Sequence, residues 1–169
     1  REYSSELSQL TLKFGQNALA ATNAFTLNIT DEAKVAELPD FVKEGLAAEA
    51  EARGEKGWTV TLHAPSYSPF MTYSTQRDIK EALYRAYNTR GIGGETDNVE
   101  NIRRIAELRL KIANLLGYKC YADYVLEDRM AESTKTVNGF LAELNKATLN
   151  YAKKDVAAIT EYAHSLGFE

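Results

Sequence analysis

DNVENIRRIAELRLKIANLLGYKCYADYVLEDRM, residues 97–130, is the stretch on which the reading of the whole chain turns. Its first part sets Ile102, Ile105, Leu108, Ile112, Leu115 and Leu116 at steps of three and four, which stacks all six on one face of an α-helix. Asp97 is placed to cap the start, and Glu100 stands three positions on, where a capping box puts its acid. Gly117 follows the last apolar pair, at the usual position of a left-handed closing residue. A second apolar burst comes at once, with Tyr118, Tyr121, Tyr124, Val125 and Leu126. Helix, glycine, helix is core structure with no chemistry of its own, so function is expected from what this unit scaffolds.

Towards the N-terminus, residues 3–23 carry Leu7, Leu10, Phe14, Ala18 and Ala21 on one helical face. Gly15 weakens that helix by about 1 kcal/mol without ending it. Residues 24–30 then alternate, with Phe25, Leu27 and Ile29 against Thr26, Asn28 and Thr30, the pattern of a strand covered on one face. Asp31 caps a short turn holding Val35 and Leu38, and Pro39 opens a helix with Phe41, Val42, Leu46 and Ala50 that runs to Gly54. A second alternating run, 58–63, sets Trp58, Val60 and Leu62 against Thr59, Thr61 and His63. The two runs are expected to pair as an antiparallel ribbon, which needs helices over one face to be stable. Pro65 and Pro69 stop ladder bonding, so Ala64–Met71 is expected to be an extended crossover. Ser74 or Thr75 caps the next helix, whose face is Ile79, Ala82, Leu83, Ala86 and Tyr87.

Beyond the opening stretch, Ser133 caps a helix with Val137, Phe140, Leu141, Leu144 and Thr148. The period resumes through Tyr151, Ala152, Val156, Ile159 and Ala163, as one long helix or two joined near Asn150. The fold class is therefore mainly α, a bundle-like set of helices with a small two-stranded antiparallel β-ribbon.

Composition narrows the function classes. The 169 residues are 44% hydrophobic and 26% charged, which suits a globular domain rather than a disordered chain. Twenty basic and 24 acidic residues give a net charge of −4 with no basic stripe, so nucleic acid is not an expected partner. No apolar run approaches the ~20 residues that span a bilayer. The single cysteine, Cys120, sits among tyrosines and reads as a small buried hydrophobe.

No residue set carries a catalytic or metal site. His63 falls on the less buried side of its strand, and His164 near the last turn of the final helix. Neither belongs to an H-E-x-x-H pair, which places two imidazoles one turn apart on one zinc. Gly91, Gly93 and Gly94 look like a phosphate loop, but a helix precedes them and Glu95 follows where a Walker loop has Lys-Ser/Thr, so they read as a mobile helix–helix link. Adjacent Glu127 and Asp128 do not face each other on a helix, and with Arg129 they read as ion-pair or capping residues. Tyr84, Tyr87, Tyr118, Tyr121 and Tyr124 read as core edges with a hydroxyl reaching a partner. Catalytic and metal-ligating residues are thus expected to be none, and substrate-binding residues are not identifiable.

Three segments resemble one family. LLGYKCYADYVLEDRMAES (115–133), WTVTLHAPSYSPFMTYSTQRDIKEALYRAYNTRG (58–91) and LTLKFGQNALAATNAF (10–25) are similar, in order and spacing, to segments of the thimet-oligopeptidase-like zinc metallopeptidases. The wording looks nearest to the bacterial peptidyl-dipeptidases, also called dipeptidyl carboxypeptidases. The resemblance implies that residues 1–169 are one fragment of the helical N-terminal half of a larger enzyme, forming a wall of its substrate channel. It also implies that the catalytic zinc, held elsewhere by H-E-x-x-H and a distant Glu, activates water to release C-terminal dipeptides from short peptides. No position here matches those ligands, so this fragment is expected to bind no zinc and to be inactive alone. Arg1 in place of Met and the final Gly167-Phe168-Glu169 are read as cut ends. Expected partners are short peptides, the missing catalytic half and a second copy of the fragment, through apolar faces left uncovered. Cytoplasm is the expected compartment, with periplasm as the alternative. The competing expectation is a free-standing helical module that binds a peptide or partner helix through its tyrosine-rich surface and has no enzymatic role.

Overall fold

A computed structural model describes residues 1–168. Among them it is mainly α, with seven α-helices and a two-stranded antiparallel sheet. Backbone contacts cluster into two compact units that divide after Leu108.

In the first unit, α1 (Glu2–Ala24) runs through Gly15 unbroken and ends as Phe25 turns extended into β1 (Thr26–Ile29). Asp31 caps a single 3₁₀ turn by accepting from the Ala33 amide at 3.0 Å. Helix α2 (Asp40–Ala52) follows Pro39, and β2 (Trp58–Thr61) returns against β1 with Leu27 opposite Val60 and Ile29 opposite Trp58. Gly57 takes φ +87° at the turn into β2, where a Cβ would collide with the Ile29 carbonyl oxygen. Only glycine fits there.

Both faces of β2 are covered. Val60 is wholly buried as expected, but so is Thr59, and Thr61 is 3% exposed, while Trp58 is only partly buried. The supposed outer face is satisfied by polar partners. Thr59 donates to Glu55 and accepts from Asn28 at 3.0 Å, and the Ser66 hydroxyl accepts from the Thr61 amide at 3.0 Å. Alternation reports which residues share a side, and neighbours decide whether that side is wet.

The stretch after β2 differs from expectation. Ala64–Tyr73 is not an extended crossover but helix α3. Pro65 sits in its first turn, where no amide is needed. Pro69 removes one helical bond, a defect of about 3 kcal/mol in a helix interior, and leaves the carbonyl of Pro65, an exposed residue. Phe70, wholly buried, offsets much of that, since burying such a side chain contributes about 1.5–3 kcal/mol. The strand ends at Thr61, ahead of both prolines, and the prolines do not forbid a helix.

Helix α4 (Arg77–Asn88) buries Ile79 and Leu83, with Ala86 and Tyr87 packed beside the core and Ala82 exposed. Its start is not side-chain capped by Ser74 or Thr75. Instead the Ser74 hydroxyl accepts from the Gln76 amide at 3.1 Å, and Glu37 gathers the Thr75 amide at 3.0 Å. The core of this unit joins Val35, Leu38, Val42, Leu46, Leu62 and Phe70 with those residues.

Helix α5 (Val99–Leu115) carries the apolar stripe read first, but the stripe is not a core face. Leu108 is wholly buried, whereas Ile102 is 53%, Leu115 74% and Leu116 55% exposed. The closing motif is as expected. Gly117 has φ +90°, its amide donates to the Asn114 carbonyl, and the Tyr118 amide donates to the Ala113 carbonyl at 3.0 Å. In the second unit, α6 (Tyr121–Leu126) is half buried, and α7 (Thr134–Ser165) is one continuous helix of 32 residues. Ser133 caps α7 by accepting from the Thr136 amide, and Gly167 at φ +82° closes it as Gly117 closes α5. No α7 residue is buried: Phe140, Val156 and Ile159 are each more than 60% exposed. Among the described residues no helix is long and apolar enough to cross a membrane.

Candidate functional site

The two histidines fall in different compact units. His63 lies past the end of β2 as the exposed cap residue of α3, its carbonyl accepting from the Ser66 and Tyr67 amides at 2.9 and 2.8 Å. It borders an open cleft of about 300 Å³ with Phe41, Leu46, Glu49 and Pro69. His164 is exposed in the last turn of α7, where a cation is favoured by the carbonyl end of the helix. Among the described residues no group of three or more His, Cys, Asp and Glu is placed to hold a metal ion. The described side chains therefore do not fit a zinc site.

The glycine run joins α4 to α5, with Gly91, Gly93 and Gly94 all at positive φ between +66° and +76°. The Asn98 amide donates to the Gly91 carbonyl at 2.8 Å. Asn98, 2% exposed, is a hub that periodicity did not single out. Its side-chain amide donates to the Phe14 carbonyl at 3.1 Å, while its oxygen accepts from Asn17 at 3.1 Å and Asn101 at 2.8 Å. Its neighbour Asp97 accepts from the Val99 amide at 3.0 Å, and that bond holds the Asp97 carboxyl below its usual range. The sequence signal was there: Asp-Asn ahead of an apolar period is a helix-start pair.

Cys120 is half buried, not a core thiol. Its Sγ donates to Asp123 at 3.3 Å, and the other Asp123 oxygen accepts from the Thr134 hydroxyl at 3.0 Å. The chain from thiol to carboxylate to hydroxyl joins the starts of α6 and α7. Glu127 stands at the C-cap of α6, and its carboxylate accepts from the Tyr118 hydroxyl; this bond is the main cause of the raised pKa of that phenol. Tyr118 and Tyr121 both pack on Tyr124, at 5.3 and 5.8 Å between ring centroids.

Of the two α4 tyrosines, Tyr84 is 58% exposed and is no core edge, whereas Tyr87 stacks on Tyr67 at 4.3 Å. Burial is the main cause that pushes the Tyr67 phenol up. The Arg90 guanidinium sits 3.7 Å over the Tyr87 ring and donates to the Thr22 hydroxyl at 3.0 Å, which ties α4 to α1. Arg104 on α5 grips Glu6 on α1 through two bonds of 2.6 and 2.8 Å. Polar clasps, rather than its apolar face, hold α1, of which only Thr22 is buried.

The helices are fastened by asparagine, arginine and tyrosine contacts, and the described residues assemble no group of His, Cys, Asp and Glu placed to hold a metal ion. The chain belongs to peptidase family M3, whose family model matches residues 70–169. It is 36% identical over 167 residues to oligopeptidase A of Salmonella typhimurium, covering 96% of this chain and 25% of that protein. Identity is 37% over 170 residues with the organellar oligopeptidase A of Arabidopsis thaliana (96% of this chain, 21% of the relative). With the dipeptidyl carboxypeptidase of Escherichia coli it is 29% over 160 residues (92% and 23%). The likeness to proteins named oligopeptidase A thus exceeds that to the dipeptidyl carboxypeptidases, a reversal of the nearness read from the segments alone. The chain spans about a quarter of the length of these curated relatives.

Proposed function

We propose that the chain is a non-catalytic part of a zinc metallopeptidase that cleaves short peptides, and that its helices form one wall of the substrate channel. Family membership along most of the chain carries this reading. The absence of a metal-holding group among the described residues assigns no chemical step to them. The exposed apolar residues of α5 and α7 supply surface on which a catalytic half can dock. The higher identity to oligopeptidase A favours internal cleavage of oligopeptides over release of C-terminal dipeptides. Cytoplasm is the compartment proposed, in keeping with an Arabidopsis relative named probable cytosolic oligopeptidase A.

The test compares the whole protein with residues 1–169 on an oligopeptide offered as free acid and as C-terminal amide. Expected is internal cleavage of both by the whole protein, abolished by a chelator and restored by zinc, and no turnover by 1–169. Release of dipeptides from the free acid only would move the reading to a peptidyl-dipeptidase. Chelator-sensitive turnover by 1–169 would overthrow the scaffold reading, and a whole protein without peptidase activity would favour the free-standing interaction module.

A further inference from the structure

Arg90 is placed unlike the ion-paired arginines. Arg53, Arg85, Arg103 and Arg104 each meet a glutamate within 3.3 Å. Arg90, half buried, has no carboxylate partner among the described residues. Its Nε donates to the Tyr87 carbonyl at 2.9 Å, one terminal nitrogen donates to Thr22 at 3.0 Å, and its plane lies over the Tyr87 ring. A guanidinium has five N–H donors. Two are used in those bonds and the rest remain on a group already fixed in place.

The same arginine lines an open hollow of about 340 Å³ within the first unit. Beside Arg90 the surface is mostly apolar, with Ala21, Phe25, Leu62 and Ile92 among its residues and Thr89 and Thr96 adding hydroxyls, and no acidic residue borders it. A held cation beside small apolar side chains fits a ligand with an anionic head and an apolar body. A carboxylate matches the fork of a guanidinium in two parallel bonds, which a neutral amide cannot do. Its attraction to Arg90 is stronger beside apolar side chains than in open water.

We propose that this hollow is a binding site for a small apolar carboxylate, either the terminal residue of a peptide or a free aliphatic acid. The site is built from α1, α4 and the start of the glycine loop, and it stands whether or not the channel-wall reading holds. An alternative role for Arg90, a clasp between α4 and α1 alone, explains two of its donors and leaves the hollow empty.

Amide NMR spectra of the 169-residue chain, titrated with N-acetyl-leucine, N-acetyl-leucinamide and 4-methylpentanoate, separate these cases. Saturable shifts centred on Gly91 and Ile92 are expected with the two acids, and binding about tenfold weaker or absent with the amide. A stronger response to N-acetyl-leucine than to 4-methylpentanoate assigns the site to a peptide terminus, and an equal response assigns it to free acids. Arg90→Gln should abolish the shifts and Arg90→Lys should weaken them several-fold, because charge without the fork remains. If Arg90→Gln does not fold, Ala24→Trp decides, since it fills the hollow from an exposed position and leaves the clasp intact. Equal binding of acid and amide, no response to either acid, or unchanged binding in Ala24→Trp would overturn the proposal.

Discussion

The unit ending at Leu108 and the helix α7 carry the same kind of sequence, apolar residues at steps of three and four, yet they end in opposite surroundings. In the first unit Val42 and Leu46 of α2, together with Leu83 of α4, are at most 4% exposed, sealed between a ribbon and two further helices. On α7 the equivalent positions Leu141, Leu144, Val156 and Ile159 are 48–68% exposed along a helix roughly 48 Å long at 1.5 Å per residue. Periodicity says that a face seeks cover. It does not say that cover comes from the same 169 residues.

The contrast can be broken by truncation. Phe70→Ala in the chain should lower stability by about 3–5 kcal/mol in urea denaturation, as for a large side chain removed from a packed core. A loss below about 1 kcal/mol would mean that the first unit is not packed as described. Ile159→Ala sharpens the other side. In the isolated chain it should change stability by no more than about 0.5 kcal/mol, because the side chain is already in water. In the whole protein the same change should cost about 2–4 kcal/mol if the catalytic half covers α7. Equal, small effects in both would show that the stripe stays uncovered.

Asn98→Ala probes the polar clasp between α1 and α5. The Phe14 carbonyl and the amides of Asn17 and Asn101 each lose a bond, and the expected loss is about 1–3 kcal/mol. Hydrogen exchange at α1 should rise with it; unchanged exchange there would leave α1 held by Arg104 and Arg90 alone.

A small, pH-dependent effect is expected at Glu37. Chiefly the Thr75 amide holds its carboxyl below the usual carboxylate range. The stabilisation is present when the group is ionised, above the ordinary range, and is lost as pH falls through the lowered value. Glu37→Gln should therefore flatten the acid side of the stability–pH curve, by less than about 1 kcal/mol because the residue is exposed. A steeper acid limb in the variant would contradict the assignment.

What the order of residues determined by itself was local. The alternation at 24–30 and 58–63 named a two-stranded ribbon that forms as Thr26–Ile29 against Trp58–Thr61, and Gly117 and Ser133 marked helix ends that stand where expected. Such signals are legible because a cap or a strand period depends on a few neighbouring backbone groups. Three short segments also indicated the family, though not which of its members stand nearer. Only the tertiary structure decided which faces are dry, why Ala64–Tyr73 is a helix despite two prolines, and that Asn98 and Arg90 fasten helices about 80 and 70 positions apart in the chain. Burial and long-range hydrogen bonds depend on what another part of the chain brings alongside, and no window of adjacent residues contains that information.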